Sequence, residues 1–229
     1  MTSTPKTAPT VSIPKGKPAT AAQEAARHIR NLIFEGQLRP GQAVPPAKVA
    51  ADLGISRIPV REAIVALEQQ GLLTIIPHRG AFVTAMDGRS VLDHFELFGV
   101  VYGLAAQRTA ERATPEEVAR LRVAQTELAA AEDPTEVRQR TLAFNDIILD
   151  VGGSPRTRAI ARMMHGLLPG NMFELIPQTV AGQKRGAAAV VRAVRQRDGE
   201  KAFSACREMM RGHGEQARAW LLAQGVIEP

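Results

Sequence analysis

Leu53-Gly54-Ile55-Ser56-Arg57-Ile58-Pro59-Val60-Arg61-Glu62-Ala63 is the stretch that decides the fold. Gly54 stops one helix in the left-handed conformation that glycine tolerates best. Ser56 then stands as an N-cap, with Pro59 in the first turn of the next helix. Before Gly54, Val49, Ala50 and Leu53 make the apolar face of a short helix; after it, Val60, Ala63, Ile64 and Leu67 face inward at helical spacing. Further upstream, Ala22, Ala25, Ala26, Ile29, Leu32 and Ile33 predict an amphipathic helix over about 20–36, closed by Gly36 and the turn Leu38-Arg39-Pro40-Gly41. Downstream, Gly71 ends the third helix. Leu72–Ile76 then reads as a strand, Pro77-His78-Arg79-Gly80 as a turn, and Ala81–Thr84 as the returning strand. Three helices and a β-hairpin in this order predict a winged helix-turn-helix over 20–84.

The chemistry of that unit suits DNA. Ser56 and Arg57 open the third helix, whose N-terminal amides can approach phosphate. Arg57 and Arg61 lie four apart, opposite the apolar stripe, where a guanidinium can fork onto guanine O6 and N7. Taken alone, two helical arginines are as well explained by a solvated face. Charge adds weight, because the chain of 229 residues carries a formal +6, of which residues 1–84 hold +5 and residues 85–229 only +1. Residues 1–19, rich in Thr, Pro, Ser and Lys, are expected to form a mobile basic arm in which Lys6, Lys15 and Lys17 brush phosphate or remain solvated.

The runs at 38–41 and 53–63, with Gly71-Leu72-Leu73 and Arg79-Gly80-Ala81-Phe82-Val83, resemble the DNA-binding domain of the GntR family of transcription regulators. The resemblance implies operator contacts from Ser56, Arg57, Pro59 and Arg61 on the third helix and from His78, Arg79 and Gly80 at the wing. It departs at one place. The family usually opens its second helix with an acidic-Arg-acidic run, whereas Pro46, Ala47 and Lys48 stand here. Lys48 is expected to touch phosphate, which positions without specifying sequence.

Beyond a linker at 85–90, residues 91–229 read as helix throughout, an antiparallel all-α bundle of about six helices near 88–112, 115–132, 134–151, 155–175, 178–197 and 199–224. Thr114, Pro115 and Glu117 make a strong helix start. The fold class is therefore mostly α, with the hairpin wing as its sheet. The helix ending Thr109–Thr114, the Phe144-Asn145 segment before Gly152-Gly153-Ser154-Pro155, and Ala193 through Asp198 resemble the effector domain of the FadR branch of the same family. That domain commonly holds a metal through an Asp and a His four apart plus one His on each of the last two helices. Those positions fall at Thr141, Asn145, Ala187 and Met209, which offer no suitable donor set, so no metal or other cofactor is expected. His213, one turn beyond Met209, reads either as an exposed or core-edge residue or as part of the effector site.

Where the family often carries an Arg and then a Glu, Phe98 and Tyr102 stand. Phe95, Phe98 and Tyr102 share one helical face, as ordinary core or as the wall of an apolar effector pocket. Phe144, Met163, Met164, Met172, Phe173 and Met209 would add soft surface around it. With Thr141, Asn145 and His213, these residues form the expected effector site, suited to a fatty acid or acyl compound.

Other functions fare poorly. The single Cys206 excludes a disulfide framework, no run reaches the ~18 apolar residues of a membrane span, and a cytoplasmic location is expected. The five His (28, 78, 94, 165 and 213) show no metal spacing, Gly16-Lys17-Pro18 lacks a phosphate loop's glycines, and Asp146 and Asp150 read as a solvated face. No catalytic residue is expected. The reading is a ligand-responsive regulator, most simply a repressor, binding a palindromic operator as a homodimer. A constitutive DNA-binding scaffold whose helical domain only dimerises, and a regulator of a carboxylate pathway, remain alternatives.

Overall fold

The Thr20 hydroxyl oxygen accepts a hydrogen bond from the Gln23 N–H while Gln23 Oε1 accepts one from the Thr20 N–H. This capping box opens helix α1 (Ala21–Phe34). The computed structural model describes residues 19–164, 168 and 171–227; the expected arm up to residue 18, including Gly16-Lys17-Pro18, lies outside the described residues, as does His165. Helix α2 (Pro46–Leu53) ends at Gly54, whose φ of 65° is the left-handed stop expected from the sequence. Helix α3 (Arg57–Gln69) follows with Ser56 at its N-cap position. One expectation fails here: the Ser56 side chain makes no capping hydrogen bond, so its hydroxyl is not committed to the helix. The apolar faces of the three helices meet in a core that includes Ile29, Val49, Val60 and Leu67, all fully buried. Each such side chain contributes roughly 1.5–3 kcal/mol.

Strands β1 (Leu73–Ile76) and β2 (Gly80–Val83) form the antiparallel wing, paired from Leu73↔Val83 to Ile76↔Gly80. The segment before α2, read only as a turn, also joins the wing. Val83 N–H donates to Gln42 O and Val44 N–H to Ala81 O, each at 2.9 Å, so Ala43 bridges Phe82.

Asp87 caps α4 (Gly88–Arg112) by accepting from the Ser90 N–H at 2.7 Å. Helix α4 thus starts where the helix expected near 88–112 begins, inside the stretch 85–90 also read as linker. The bundle continues through α5 (Pro115–Ala130), α6 (Pro134–Gly152), α7 (Pro155–Met164), α8 (Met172–Leu175), α9 (Gln178–Arg195) and α10 (Gly199–Ala223). The Thr114–Glu117 capping box opens α5 as read. The single helix expected over 155–175 is instead two helices, giving seven in the bundle among the described residues rather than about six. Apolar spacing at 163–175 outweighed the breakers in that stretch, Gly166 and Pro169-Gly170. Among the described residues no helix is long and apolar enough to cross a membrane.

Helices α4 and α6, separated in the chain by α5, touch most closely near the end of α6. The Thr109 hydroxyl donates to Ala105 O at 2.9 Å and reaches Ile148 O at 3.2 Å. A Cβ at Gly152 would collide with the Ala105 carbonyl oxygen, a backbone atom with no rotamer to escape into. Gly152→Ala is therefore expected to cost ~1–3 kcal/mol by forcing the helices apart. Urea denaturation checks this: the midpoint falls at an unchanged slope, whereas an unaltered midpoint would mean that the helices are not in backbone contact.

Candidate functional site

Two regions of the fold bear chemistry, one on α3 and the wing, the other a cavity in the helical domain. On α3, Ser56, Arg57 and Arg61 are exposed on the side away from Val60, Ala63, Ile64 and Leu67, while Pro59 is half-buried. Neither arginine makes an ion pair with a described carboxylate, which leaves both forks available to an external acceptor. Ile58, not picked out from the sequence, is the most exposed large apolar residue described, at 69%. An isoleucine beside Arg57 on a solvent-facing helix suits contact with a thymine methyl group. Its signal was its position, apolar on the polar side of the helical wheel.

The wing tip brings His78, Arg79 and Gly80 together in solvent. His78 holds φ 60° and Gly80 φ 101°. The Arg79 guanidinium sits 5.7 Å over the Phe82 ring, which steadies it against the hairpin. Lys48 is exposed but donates to Asp52 Oδ2 at 2.8 Å, and His28 lies 3.6 Å from the same oxygen. The Lys48 hydrogen bond holds the Asp52 carboxyl below the usual carboxylate range. A phosphate at Lys48 must therefore compete with a carboxylate already there.

The cavity, of about 390 Å³, is walled by Phe95 and Phe98 of α4, Thr141 and Asn145 of α6, and His213 of α10. These five residues were singled out from the sequence, as were Met164, Met172 and Phe173, so eight of the expected residues are brought together. Met164, Met172, Phe173 and Met210 add the adaptable apolar surface. Four others do not line it. Tyr102 packs edge-on against Phe98, with ring centroids 4.9 Å apart, and is buried behind it. Phe144 is fully buried in the core of the helical domain. Met209 faces a second cavity between α9 and α10, against Gly186. Met163 lies 52% exposed on α7 and contributes nothing to the pocket wall.

The cavity's floor is polar. Thr141 Oγ1, Gln183 Nε2 and both ring nitrogens of His213 are buried without a protein hydrogen bond. Far from the exposed or core-edge place considered for it, His213 is 2% exposed. Burial pushes its pKa down to about 4, opposed by the Thr179 carbonyl, which lies close without completing a hydrogen bond. At neutral pH the ring is uncharged, offering one donor and one acceptor. Buried polar groups cost ~1–3 kcal/mol each when left unsatisfied, so an occupant that donates and accepts is favoured.

The four positions implied for a metal do not fit one. Thr141 and Asn145 are neutral, Ala187 is a buried methyl, and the Met209 sulfur is turned to the other cavity. Among the described residues no group of three His, Cys, Asp or Glu is placed to hold an ion. Polar side chains stand one turn away from two of these positions instead. Gln183 precedes Ala187 by four residues on α9, His213 follows Met209 by four on α10, and the two helices form a hairpin, so both shifts run the same way along the bundle. The sequence contained that paired offset, but only a hairpin geometry gives it meaning. Elsewhere, Asp146 and Asp150 are both exposed, and burial pushes the Cys206 thiol up to about 12, which leaves no thiolate at neutral pH.

Comparison with known proteins matches these two regions separately. The family described as bacterial regulatory proteins, gntR family, matches residues 21–83, and the FCD domain matches residues 93–212. An uncharacterized HTH-type transcriptional regulator of Mycobacterium tuberculosis is 31% identical over 157 residues, covering 69% of this chain and 64% of that protein. The Nta operon transcriptional regulator of Aminobacter aminovorans is 34% identical over 84 residues, covering 37% of this chain and 40% of that regulator. The chain thus spans less than two thirds of the length of these relatives. Among solved structures, E. coli McbR/YncC superposes with a TM-score of 0.59 at 20% identity, covering 90% of this chain and 99% of its own. At that identity the likeness is one of fold.

Because the fold holds His213 neutral, the unfolded chain takes up a proton that the native state refuses. Stability is complete above the ordinary histidine value of 6.5 and is lost as pH falls from there towards 4. The loss at pH 5 is about 2 kcal/mol. Thermal melts between pH 7 and 5 test this, and His213→Leu is expected to flatten the slope. A Leu variant with the parent's slope would refute the assignment.

Proposed function

The chain belongs to the GntR family of bacterial regulatory proteins and carries an FCD domain behind its DNA-binding domain; on that premise we propose that it is a cytoplasmic transcriptional repressor that binds a palindromic operator as a homodimer and responds to an acyl-type effector. The observation that carries the DNA half is the pair Arg57 and Arg61, exposed on α3 and without a counter-ion among the described residues. One recognition helix reads only a few base pairs, and a two-fold dimer on a palindrome doubles the contacts.

The ligand half is supported by the cavity. Its Phe and Met walls suit an aliphatic chain, and its neutral floor suits a hydrogen-bonding group rather than a metal-held dicarboxylate. Such a ligand releases DNA only by preferring the conformation that binds DNA poorly, and a tenfold release needs about 1.4 kcal/mol of that preference.

Operators selected from random duplex DNA provide the test. Arg57→Ala and Arg61→Ala are each expected to cost ~1–3 kcal/mol and to relax base preference at one position of each half-site. Lys48→Ala should weaken all sequences evenly, with a shallower salt slope. If instead the Arg variants weaken every sequence equally, α3 is not the reading helix. Native mass spectrometry of the purified chain, expected to retain a bound acyl compound, separates a sensor from a scaffold that only dimerises.

A further inference from the structure

Arg30 belongs to α1 of the DNA-binding domain, yet it lines the cavity of the helical domain. One of its Nη atoms donates to Gln70 Oε1 at 2.8 Å, and Gln70 is the C-cap residue of α3. Its Nε is buried without a hydrogen-bond partner. No described carboxylate pairs with it. Burial lowers the Arg30 pKa, but a guanidinium keeps its proton in a protein, so the cost of desolvation falls on an unneutralised charge.

A second guanidinium faces the same cavity. Arg138 of α6 is exposed and likewise without a carboxylate partner among the described residues, whereas Arg140 is held by Glu127 at 2.8 Å and Glu136 at 3.5 Å. Among the described residues no Asp or Glu lines the cavity. Two arginines from two domains therefore bound an acid-free, largely apolar space.

We propose that this cavity is a two-domain site for a carboxylate-bearing amphiphile, with the carboxylate shared by Arg30 and Arg138 and the chain laid along Phe95, Phe98, Met172 and Phe173. The inference rests on the reading of the cavity as the effector site and adds its charge and its route to DNA. Guanidinium and carboxylate match as forks, and such charge-assisted bonds are about twice as strong as neutral ones. A carboxylate that engages the Arg30 fork competes with Gln70 for it. Occupancy of the cavity and the position of α3 thereby become linked, and the linkage acts equally in both directions.

Equilibrium dialysis of the full chain against radiolabelled decanoate and decanol tests the site. Decanoate is expected to bind at least tenfold more tightly than decanol. Arg30→Gln and Arg138→Gln should each remove most of that preference without lowering decanol binding. Gln70→Leu should bind decanoate at least as tightly as the parent, yet lose the effect of decanoate on affinity for a duplex selected from random DNA. Equal binding of acid and alcohol, or a preference that survives both arginine substitutions, overturns the clamp while leaving the apolar pocket standing. Binding of neither overturns both. An undiminished decanoate effect on DNA in Gln70→Leu overturns the coupling through Arg30.

Discussion

The close approach of α6 to α4 fixes the geometry on which the helical domain depends. At Gly152 the backbone of α6 meets the Ala105 carbonyl, and the Thr109 hydroxyl ties the two helices by bonding to both. Two turns nearer the start of each helix, Phe98 on one and Asn145 on the other face the cavity instead of each other. A pair of rigid helices pinned at one end can leave room at the other only if side chains there are too large or too polar to close it. Phe95 and Phe98 supply the bulk, and Thr141 and Asn145 the polarity. The pocket is thus a product of where the helices are fastened.

How much of this was written in the sequence varies with the range of the interaction that encodes it. Gly54, Thr114-Pro115 and Asp198 act on their own turn of chain, and the elements they bound are found where those residues put them. The stretch at 163–175 failed because its apolar spacing is compatible with one helix or two. Periodicity told which faces turn inward but could not separate a cavity wall from a filled core, so Phe98 and Tyr102 received the same reading while only Phe98 lines the space. Arg30 carried no local signal at all. Its role depends on how one domain leans on another, which no helical period records.

The cavity also has a graded electrostatic character. Its floor holds neutral groups, His213 kept so by burial, while two permanent cations of the chain stand on its boundary. A small dianion would be drawn to the arginines and would find no charge to meet it further in. An elongated molecule with one polar end satisfies both, because its hydrocarbon body spans the apolar middle. With Gln183 and His213 one turn away from the positions implied for a metal, the donors deep in the cavity are uncharged.

Ile58 has a consequence for the nucleic acid. An arginine reads hydrogen-bond acceptors, but an aliphatic side chain in the major groove reads a methyl group, and cytosine methylated at C5 presents that group in the same place as thymine. With 69% of its surface open on α3, Ile58 presents an aliphatic group of the kind that can meet such a methyl in the major groove.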